Sequence, residues 1–166
     1  EQTKLIVIAS EIGGGFGGKL GVYLEPVALV LSKKAGRPVK MQMDRNEVFM
    51  ASGPGSATQN WVKIGAKKDG TITAMEAKLC YEAGWAPGSS PLGPACMTMF
   101  TPYDVDHQYD EGYEVVVNKA RCAAYRAPGA PQSEYACEMV INELADELGI
   151  DPIDLRLKNV AKEGTQ

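Results

Sequence analysis

The hydrophobic positions in the first part of the chain follow two different periods. Residues 5–9 (Leu-Ile-Val-Ile-Ala) form an uninterrupted apolar run rich in β-branched side chains, which is typical of a strand covered on both faces. From residue 20 to 34 the apolar side chains recur at helical spacing. Pro26 either places the start of this helix near residues 24–25 or kinks it, and Gly36 closes it.

Alternation of apolar and polar residues predicts an antiparallel hairpin in the middle of the chain. Residues 61–66 and 71–77 alternate on either side of the Asp69-Gly70 pair. An Asp-Gly pair between two alternating runs is a strong hairpin signal. We expect the second strand to continue to residue 80 or 81.

Three shorter elements are predicted on either side of this hairpin. Residues 39–43 alternate as a half-buried strand, and Asp44 can cap a short helix over residues 45–50. Residues 51–58, rich in Gly, Pro and Ser, indicate an irregular loop. Residues 113–117 predict a further strand.

A long helix is predicted near the C-terminus, over residues 133–148. Its apolar side chains form one stripe, made of Ala136, Val140, Leu144 and Leu148. Gly149 ends this helix, and Asp151 with Pro152 begins another over residues 153–159.

Length and composition are those of one globular domain, residues 1–166, with a mixed α/β (α+β) fold. The net charge is −4 and there is no basic block, so nucleic acid is a poor partner. No apolar run reaches the length of a membrane span, and no secretory signal is visible. The pattern as a whole predicts a strand–glycine loop–helix unit, a hairpin and C-terminal helices.

The cysteines give no sign of a metal site. None of Cys80, Cys96, Cys122 and Cys137 stands in C-x-x-C spacing, and the sequence has a single histidine. This excludes the usual zinc frameworks and a self-contained iron–sulfur motif. We expect small, buried, reduced thiols in a cytoplasmic protein.

The segment from residue 84 to 107 is long for a connection and contains four prolines. Its aromatic and methionine content favours packing over disorder. An alternative use of residues 84–103 is an apolar partner surface in a cofactor-free interaction protein.

The most unusual stretch is the glycine loop, which we define as residues 13–19 (Gly-Gly-Gly-Phe-Gly-Gly-Lys). A glycine loop at the start of a helix presents unpaired N–H groups to an anion. The dinucleotide motif fits it, but the acidic residue expected about twenty positions later is missing near residues 32–34. The P-loop motif fits as far as Lys19, but Leu20 replaces the magnesium-binding Ser or Thr. An ATP- or NAD-binding module therefore stays open as an alternative.

A second stretch also has the features of a loop that faces an anion at the start of a helix. Residues 124–132 (Ala-Tyr-Arg-Ala-Pro-Gly-Ala-Pro-Gln) lead directly into the long helix. Gly129 allows close approach, and Arg126 offers a permanent cation. Two loops of this kind in one chain indicate a single large anionic ligand held from two sides.

These two motifs, in this order, resemble the molybdenum-cofactor-binding subunit of the xanthine dehydrogenase/aldehyde oxidase family, and residues 143–159 are also similar to it. The resemblance covers almost the whole chain and implies part of a larger cofactor-binding domain. It implies molybdopterin, in bacteria usually the cytosine dinucleotide, whose own sulfurs bind the molybdenum. The cofactor-binding positions that it implies are Gly14, Gly15, Phe16, Gly17, Arg126 and Ala127. The backbone amides of Phe16 and Arg126 are expected to face the molybdenum oxygen ligands.

The resemblance also implies a reaction and partners. The reaction is hydroxylation with water-derived oxygen, and the electrons leave through iron–sulfur clusters and FAD on partner subunits. Three substrate-pocket positions depart from the purine-oxidising pattern, namely Leu20, Gly55 and Pro128. They favour an aldehyde or a less polar N-heteroaromatic over xanthine.

The family's catalytic glutamate lies in a segment that this sequence does not contain, so no catalytic residue is assigned. Glu134, Glu138 and Glu143 lie on a predicted helix and are not candidates for that base. We therefore expect a fragment or one piece of a split subunit, inactive alone, whose partners include the remaining part of the large subunit.

Overall fold

The computed structural model describes residues 4–165, and this part of the chain has eight regular elements. They follow one another as α1 (Glu25–Ala35), α2 (Arg45–Ala51), β1 (Thr58–Ala66), β2 (Ile72–Gly84), α3 (Leu92–Thr98), β3 (His107–Val116), α4 (Ala130–Leu148) and α5 (Pro152–Asn159). The mixed α/β class is confirmed. No helix among the described residues has the length and apolarity needed to cross a membrane.

The three strands form one sheet with the order β1-β2-β3. β1 and β2 are antiparallel and are joined through Asp69 and Gly70, so the predicted hairpin is confirmed. β2 and β3 are parallel, and the connection between them passes through α3. β2 runs on to Gly84, past the predicted end, because β3 continues to pair with it as far as Val116 opposite Gly84.

The hydrophobic core lies between β2 and the helices of the C-terminal half. Alternate residues of β2 point into it, namely Met75, Ala77, Leu79 and Tyr81. The connection between β2 and β3 adds Met99, Phe100, Tyr103 and Val105. The prediction that this long segment packs is therefore confirmed, although Trp85 and Met97 in the same segment are exposed.

Helix α4 is rotated by one residue from the predicted orientation. Its buried residues are Ser133, Cys137, Ile141 and Ala145, whereas the predicted apolar stripe is only half-buried at the edge of the core. A serine can occupy the core here because its hydroxyl donates to backbone carbonyls at the start of its own helix, those of Gly129 and Ala130.

Helix α5 is tied to the hairpin by Asn159, a buried polar residue. Its side-chain oxygen accepts a hydrogen bond from the N–H of Ile72 at 2.9 Å. Its amide nitrogen donates to the carbonyls of Gly70 at 2.9 Å and Leu155 at 2.8 Å. One side chain therefore satisfies both the N–H of Ile72 and the carbonyl of Gly70.

The two short helices of the N-terminal third form as predicted. Pro26 lies in the first turn of α1, and Gly36 ends α1 in the left-handed conformation. Asp44 and Glu47 form a capping box at the start of α2. Neither helix contains a buried residue.

The two strands predicted in the N-terminal third are wrong. Residues 5–9 and 39–43 are not assigned to strands, and Ile6, Val7 and Ile8 are 83–86% exposed. A strand needs a neighbour for its backbone groups, and the sheet formed by residues 4–165 places no strand beside either segment. The side-chain pattern is suited to a strand, but no strand within residues 4–165 pairs with either segment.

Candidate functional site

Two loops far apart in sequence meet at one place in the structure. The N–H of Arg126 donates a hydrogen bond to the carbonyl oxygen of Phe16 at 2.8 Å. We call the glycine loop, residues 13–19, together with residues 125–129 the clamp. The prediction that these motifs act on one ligand requires such a meeting, and the structure contains it.

Phe16 and Ala127 have an unusual backbone conformation. Their φ angles are 48° and 52°, and within residues 4–165 no other residue except glycine has a positive φ. A side chain in this region costs about 1–2 kcal/mol. Neither residue donates its N–H to any hydrogen bond among those found in the described chain. The clamp therefore carries two strained residues with free backbone donors, one on each loop.

Glycines bring the clamp backbones close together. A Cβ atom on Gly17 would lie 2.9 Å from the carbonyl oxygen of Ala124, and Gly17 has a φ of 93°. A Cβ atom on Gly14 would lie 3.2 Å from the ring of Phe16. Gly17 therefore needs glycine for both conformation and space, whereas Gly14 needs it for its φ of 114°. The φ of Gly15 is not positive, and a Cβ there would make only ordinary contacts with Lys19.

The Arg126 side of the clamp is anchored in the core. The carbonyl of Gly129 accepts a hydrogen bond from the buried hydroxyl of Tyr81 at 3.0 Å and another from Ser133 N–H at 3.1 Å. Gly129, with a φ of 88°, also lies against the backbone of Pro91, because a Cβ would come within 2.3 Å of that carbonyl oxygen. Helix α4 begins at the next residue, so this loop opens directly into a helix N-terminus, as predicted.

The glycine loop is held by local contacts instead. Gly18 N–H donates to Gly15 O at 2.9 Å, and Tyr23 Oη donates to Gly18 O at 3.1 Å. Lys19 Nζ donates to Ile12 O at 2.6 Å. The prediction that this loop opens a helix is wrong, because residues 20–24 separate it from the start of α1. The local geometry therefore lacks the helix N-terminus of a P-loop, and its lysine is already engaged.

A cleft of about 450 Å³ lies beside the clamp, and we call it the side cleft. Its lining includes Gly17, Leu20, Gly53, Trp85, Arg121 and Ala124. Of the predicted substrate-pocket residues, Leu20 lines this cleft, whereas Gly55 and Pro128 do not. Trp85 and Arg121 were not singled out from the sequence.

The end of β2 shapes the side cleft. Residues 83–85 pair with the segment that leads to the clamp, through Cys122 N to Ala83 O and Trp85 N to Lys119 O, both at 3.0 Å. Gly84 is essential to this pairing, because a Cβ there would lie 2.0 Å from the carbonyl oxygen of Ala120.

The thiols in and near the site are protonated at neutral pH. Cys122 lines the cleft and donates to Glu82 O at 3.0 Å, and burial raises the pKa of this thiol. Burial also raises the pKa of Cys137 to about 12 and that of Cys96 to about 11. All four cysteines are free, as expected, but Cys80 is only half-buried, and so is Cys96.

Other ionisable side chains are committed to structural contacts. Glu138 accepts hydrogen bonds from the Tyr103 hydroxyl and from Arg156 Nε at 2.7 Å, which fits its exclusion as a catalytic base. Among the described residues no group of three or more His, Cys, Asp or Glu side chains could hold a metal ion.

The fold agrees with the comparisons to known proteins. A family model described as "Molybdopterin cofactor-binding domain" matches residues 1–160. The chain belongs to this family. The resemblance to the xanthine dehydrogenase/aldehyde oxidase family is confirmed by oxidoreductase relatives that match nearly the whole chain.

Two curated relatives and one solved structure illustrate the match. The chain is 36% identical to the probable hypoxanthine oxidase XdhD of Escherichia coli (strain K12), over 100% of this chain and 18% of that protein. It is 32% identical to the nicotinate dehydrogenase large molybdopterin subunit of Eubacterium barkeri, over 99% of this chain and 39% of that protein. The aldehyde oxidoreductase structure from Desulfovibrio gigas matches with a TM-score of 0.88 and 31% identity, over 93% of this chain and 17% of that one. The chain thus spans well under half of the length of these proteins.

Proposed function

We propose that this chain is the molybdopterin-binding part of a molybdenum hydroxylase that oxidises an aldehyde or an N-heteroaromatic with water-derived oxygen. The observation that carries the proposal is the hydrogen bond from Arg126 N–H to Phe16 O, which joins the two motifs into one clamp. The chain supplies this clamp, and the remaining part of the large subunit supplies the catalytic glutamate, so the chain alone is inactive.

The residues of the clamp fit a cofactor with anionic oxygen ligands. The free N–H groups of Phe16 and Ala127 are donors suited to such oxygens, and the exposed guanidinium of Arg126 adds a positive charge. The amide of Arg126 is already used by Phe16, so we assign the donor role on that loop to Ala127 and not to Arg126. The glycines at 14, 15 and 17 keep side chains away from the ligand.

When bound, the cofactor would supply oxygen-transfer and two-electron redox chemistry, and its own sulfurs would hold the metal. The chain's part is to bind the cofactor, to orient it between Phe16 and Ala127, and to present the substrate beside it. We propose the cytosine dinucleotide form, with iron–sulfur clusters and FAD on partner subunits, in a cytoplasmic assembly. Leu20 is proposed to contact substrate, together with Gly55 and Pro128 if the rest of the subunit completes the pocket.

The names of the relatives do not specify one substrate. They include a hypoxanthine oxidase, an aldehyde oxidoreductase and a nicotinate dehydrogenase. Leu20 is apolar where a purine-oxidising enzyme is expected to have an acidic residue, and this supports an aldehyde or an N-heteroaromatic ring that is less polar than the ring of xanthine.

The proposal is tested by producing the chain together with its neighbouring subunits and analysing the purified complex. Molybdenum is measured by mass spectrometry, and the pterin and any cytosine nucleotide are measured after acid release. We expect close to one molybdenum and one pterin for each copy of the chain. A complex that contains neither would favour the cofactor-free interaction protein. ATP and NAD titrations of the chain without its partner subunits test the nucleotide module, for which we expect no binding because Lys19 is engaged by Ile12.

A further inference from the structure

The side cleft contains large apolar side chains that are exposed to water. Leu20, Val22 and Trp85 all line it, and their exposed fractions are 82%, 72% and 66%. Its volume of about 450 Å³ lies within the range of small-molecule sites. A tryptophan side chain interacts most favourably with a flat aromatic partner, because the partner covers the indole face and the two rings stack. The walls of the cleft therefore favour a planar aromatic ligand.

The side cleft also contains a cation without a partner. Arg121 lines the cleft, and in residues 4–165 its guanidinium takes part in no hydrogen bond or ion pair. The neighbouring cation, Lys119, is already paired with Glu82 at 2.9 Å. No Asp or Glu is among the residues that line the cleft. An apolar cleft with one free guanidinium has a charge complementary to a single negative charge.

A carboxylate matches this arrangement better than a phosphate does. Arginine binds a carboxylate through two parallel N–H···O bonds, and one positive charge balances one carboxylate. A phosphate group carries a charge of about −1.5 to −2 at neutral pH. The cleft has neither a second free cation nor a helix N-terminus among its lining residues to balance the excess.

We propose that the side cleft binds an aromatic carboxylate, with Trp85 stacking on the ring and Arg121 binding the carboxylate. The inference deepens the proposed function, on which it rests, because it narrows the substrate to a ring that carries a carboxylate group. The cleft is continuous with the clamp: Gly17 and Ala124 line the cleft, and they lie one and two residues from Phe16 and Arg126. A ring held here lies next to the clamp.

Binding is tested first without any cofactor, by tryptophan fluorescence of the full chain. The Trp61→Phe variant leaves Trp85 as the only tryptophan. Benzoate and its uncharged analogue benzamide are titrated as probes. We expect both to quench Trp85 and benzoate to bind about fivefold more tightly, because only benzoate forms charge-assisted bonds. Arg121→Gln should reduce benzoate affinity to that of benzamide, whereas Arg37→Gln, which lies outside the cleft, should change neither.

The second arm uses the assembled enzyme and compares 4-formylbenzoate with 4-formylbenzamide. Arg121→Gln should raise KM for the carboxylate about tenfold and leave kcat and the amide unchanged, because only binding of the charged group is lost. Molybdenum and pterin contents are measured in the same samples, so failure of cofactor binding is distinguished from failure of the substrate assignment. Equal affinity for benzoate and benzamide, no binding of either, or an equal effect of Arg121→Gln on both substrates would overturn the inference.

Discussion

Gly17 lies so close to Ala124 that a Cβ atom on the glycine would come within 2.9 Å of the alanine carbonyl oxygen. The neighbouring glycine is different, because a Cβ on Gly18 would make an ordinary contact at 3.5 Å and its φ is not positive. A comparison of alanine substitutions at these two adjacent positions therefore separates the effect of the close contact from the general effect of adding a methyl group to the loop.

We expect Gly17→Ala to force the two loops of the clamp apart and to reduce the molybdenum content of the assembled complex at least about tenfold, since about 1.4 kcal/mol of lost binding corresponds to that factor. The Gly18→Ala variant should retain most of the molybdenum. Molybdenum per chain, measured after identical purification, compares the two variants. Equal loading in both would show that close approach of Gly17 and Ala124 is not needed for binding.

Gly84→Ala should destabilise the fold more than the other glycine substitutions in the same region. A Cβ at this position would lie 2.0 Å from the backbone oxygen of Ala120, which cannot move without breaking the pairing beneath the side cleft. We expect a loss of about 3 kcal/mol or more in the free energy of unfolding, measured in urea. Gly88 also has a positive φ, 78°, but has open space around it, so Gly88→Ala should cost only about 1 kcal/mol. Similar losses in both would contradict the role of the close contact.

Asn159→Ala should destabilise the protein by about 2–4 kcal/mol, because the N–H of Ile72 and the carbonyl of Gly70 would be left buried without partners. The control is Asn46→Ala, on the exposed surface of α2, for which we expect a change within about 0.5 kcal/mol. Urea unfolding of both variants gives the comparison. A small effect at residue 159 would mean that water replaces the side chain in this turn.

We expect the free energy of unfolding to fall below pH 4 because the carboxylate of Asp69 becomes protonated. The Thr71 N–H, with further help from the Thr71 side chain and Lys158, lowers the pKa of this carboxyl from 3.8 to about 2. Because the folded state holds the carboxylate more strongly than the unfolded state, the contribution is complete above pH 4 and is lost as the pH falls through the folded pKa. Unfolding midpoints measured from pH 5 to pH 2 should therefore fall less steeply in Asp69→Asn than in the wild type. Parallel pH profiles for the variant and the wild type would show that Asp69 does not cause the loss of stability.

Elements that depend on local chemistry could be predicted from the sequence. The Asp69-Gly70 turn, the cap at Asp44 and the glycine ends of the helices at Gly36 and Gly149 are all determined by a few adjacent residues, and the structure contains them. The shared features of the two clamp loops indicated one ligand held from two sides, but no local pattern indicates that the N–H of Arg126 bonds to the carbonyl of Phe16.

Features that depend on distant contacts could not be predicted. The burial of α4 shifted by one residue because Ser133 satisfies its hydroxyl within the helix and so enters the core. Residues 5–9 have the side chains of a strand, but no strand in the described part of the chain pairs with them. Trp85 and Arg121 share a cleft only because the end of β2 pairs with the segment before the clamp, and neither has a sequence signal of its own.

The absence of buried side chains in α1 and α2 has a consequence for how the holoprotein matures. The Arg126 loop is fixed to the core through Tyr81 and Gly129, so its conformation is set once β2 and α4 have packed together. The glycine loop is followed by helices that bury nothing within this chain, and it is joined to the other loop through the Phe16 carbonyl. Displacement of the glycine loop would therefore expose no core residue to solvent. A bulky prosthetic group could therefore bind after folding, when the glycine loop moves aside and the Arg126 loop stays in place.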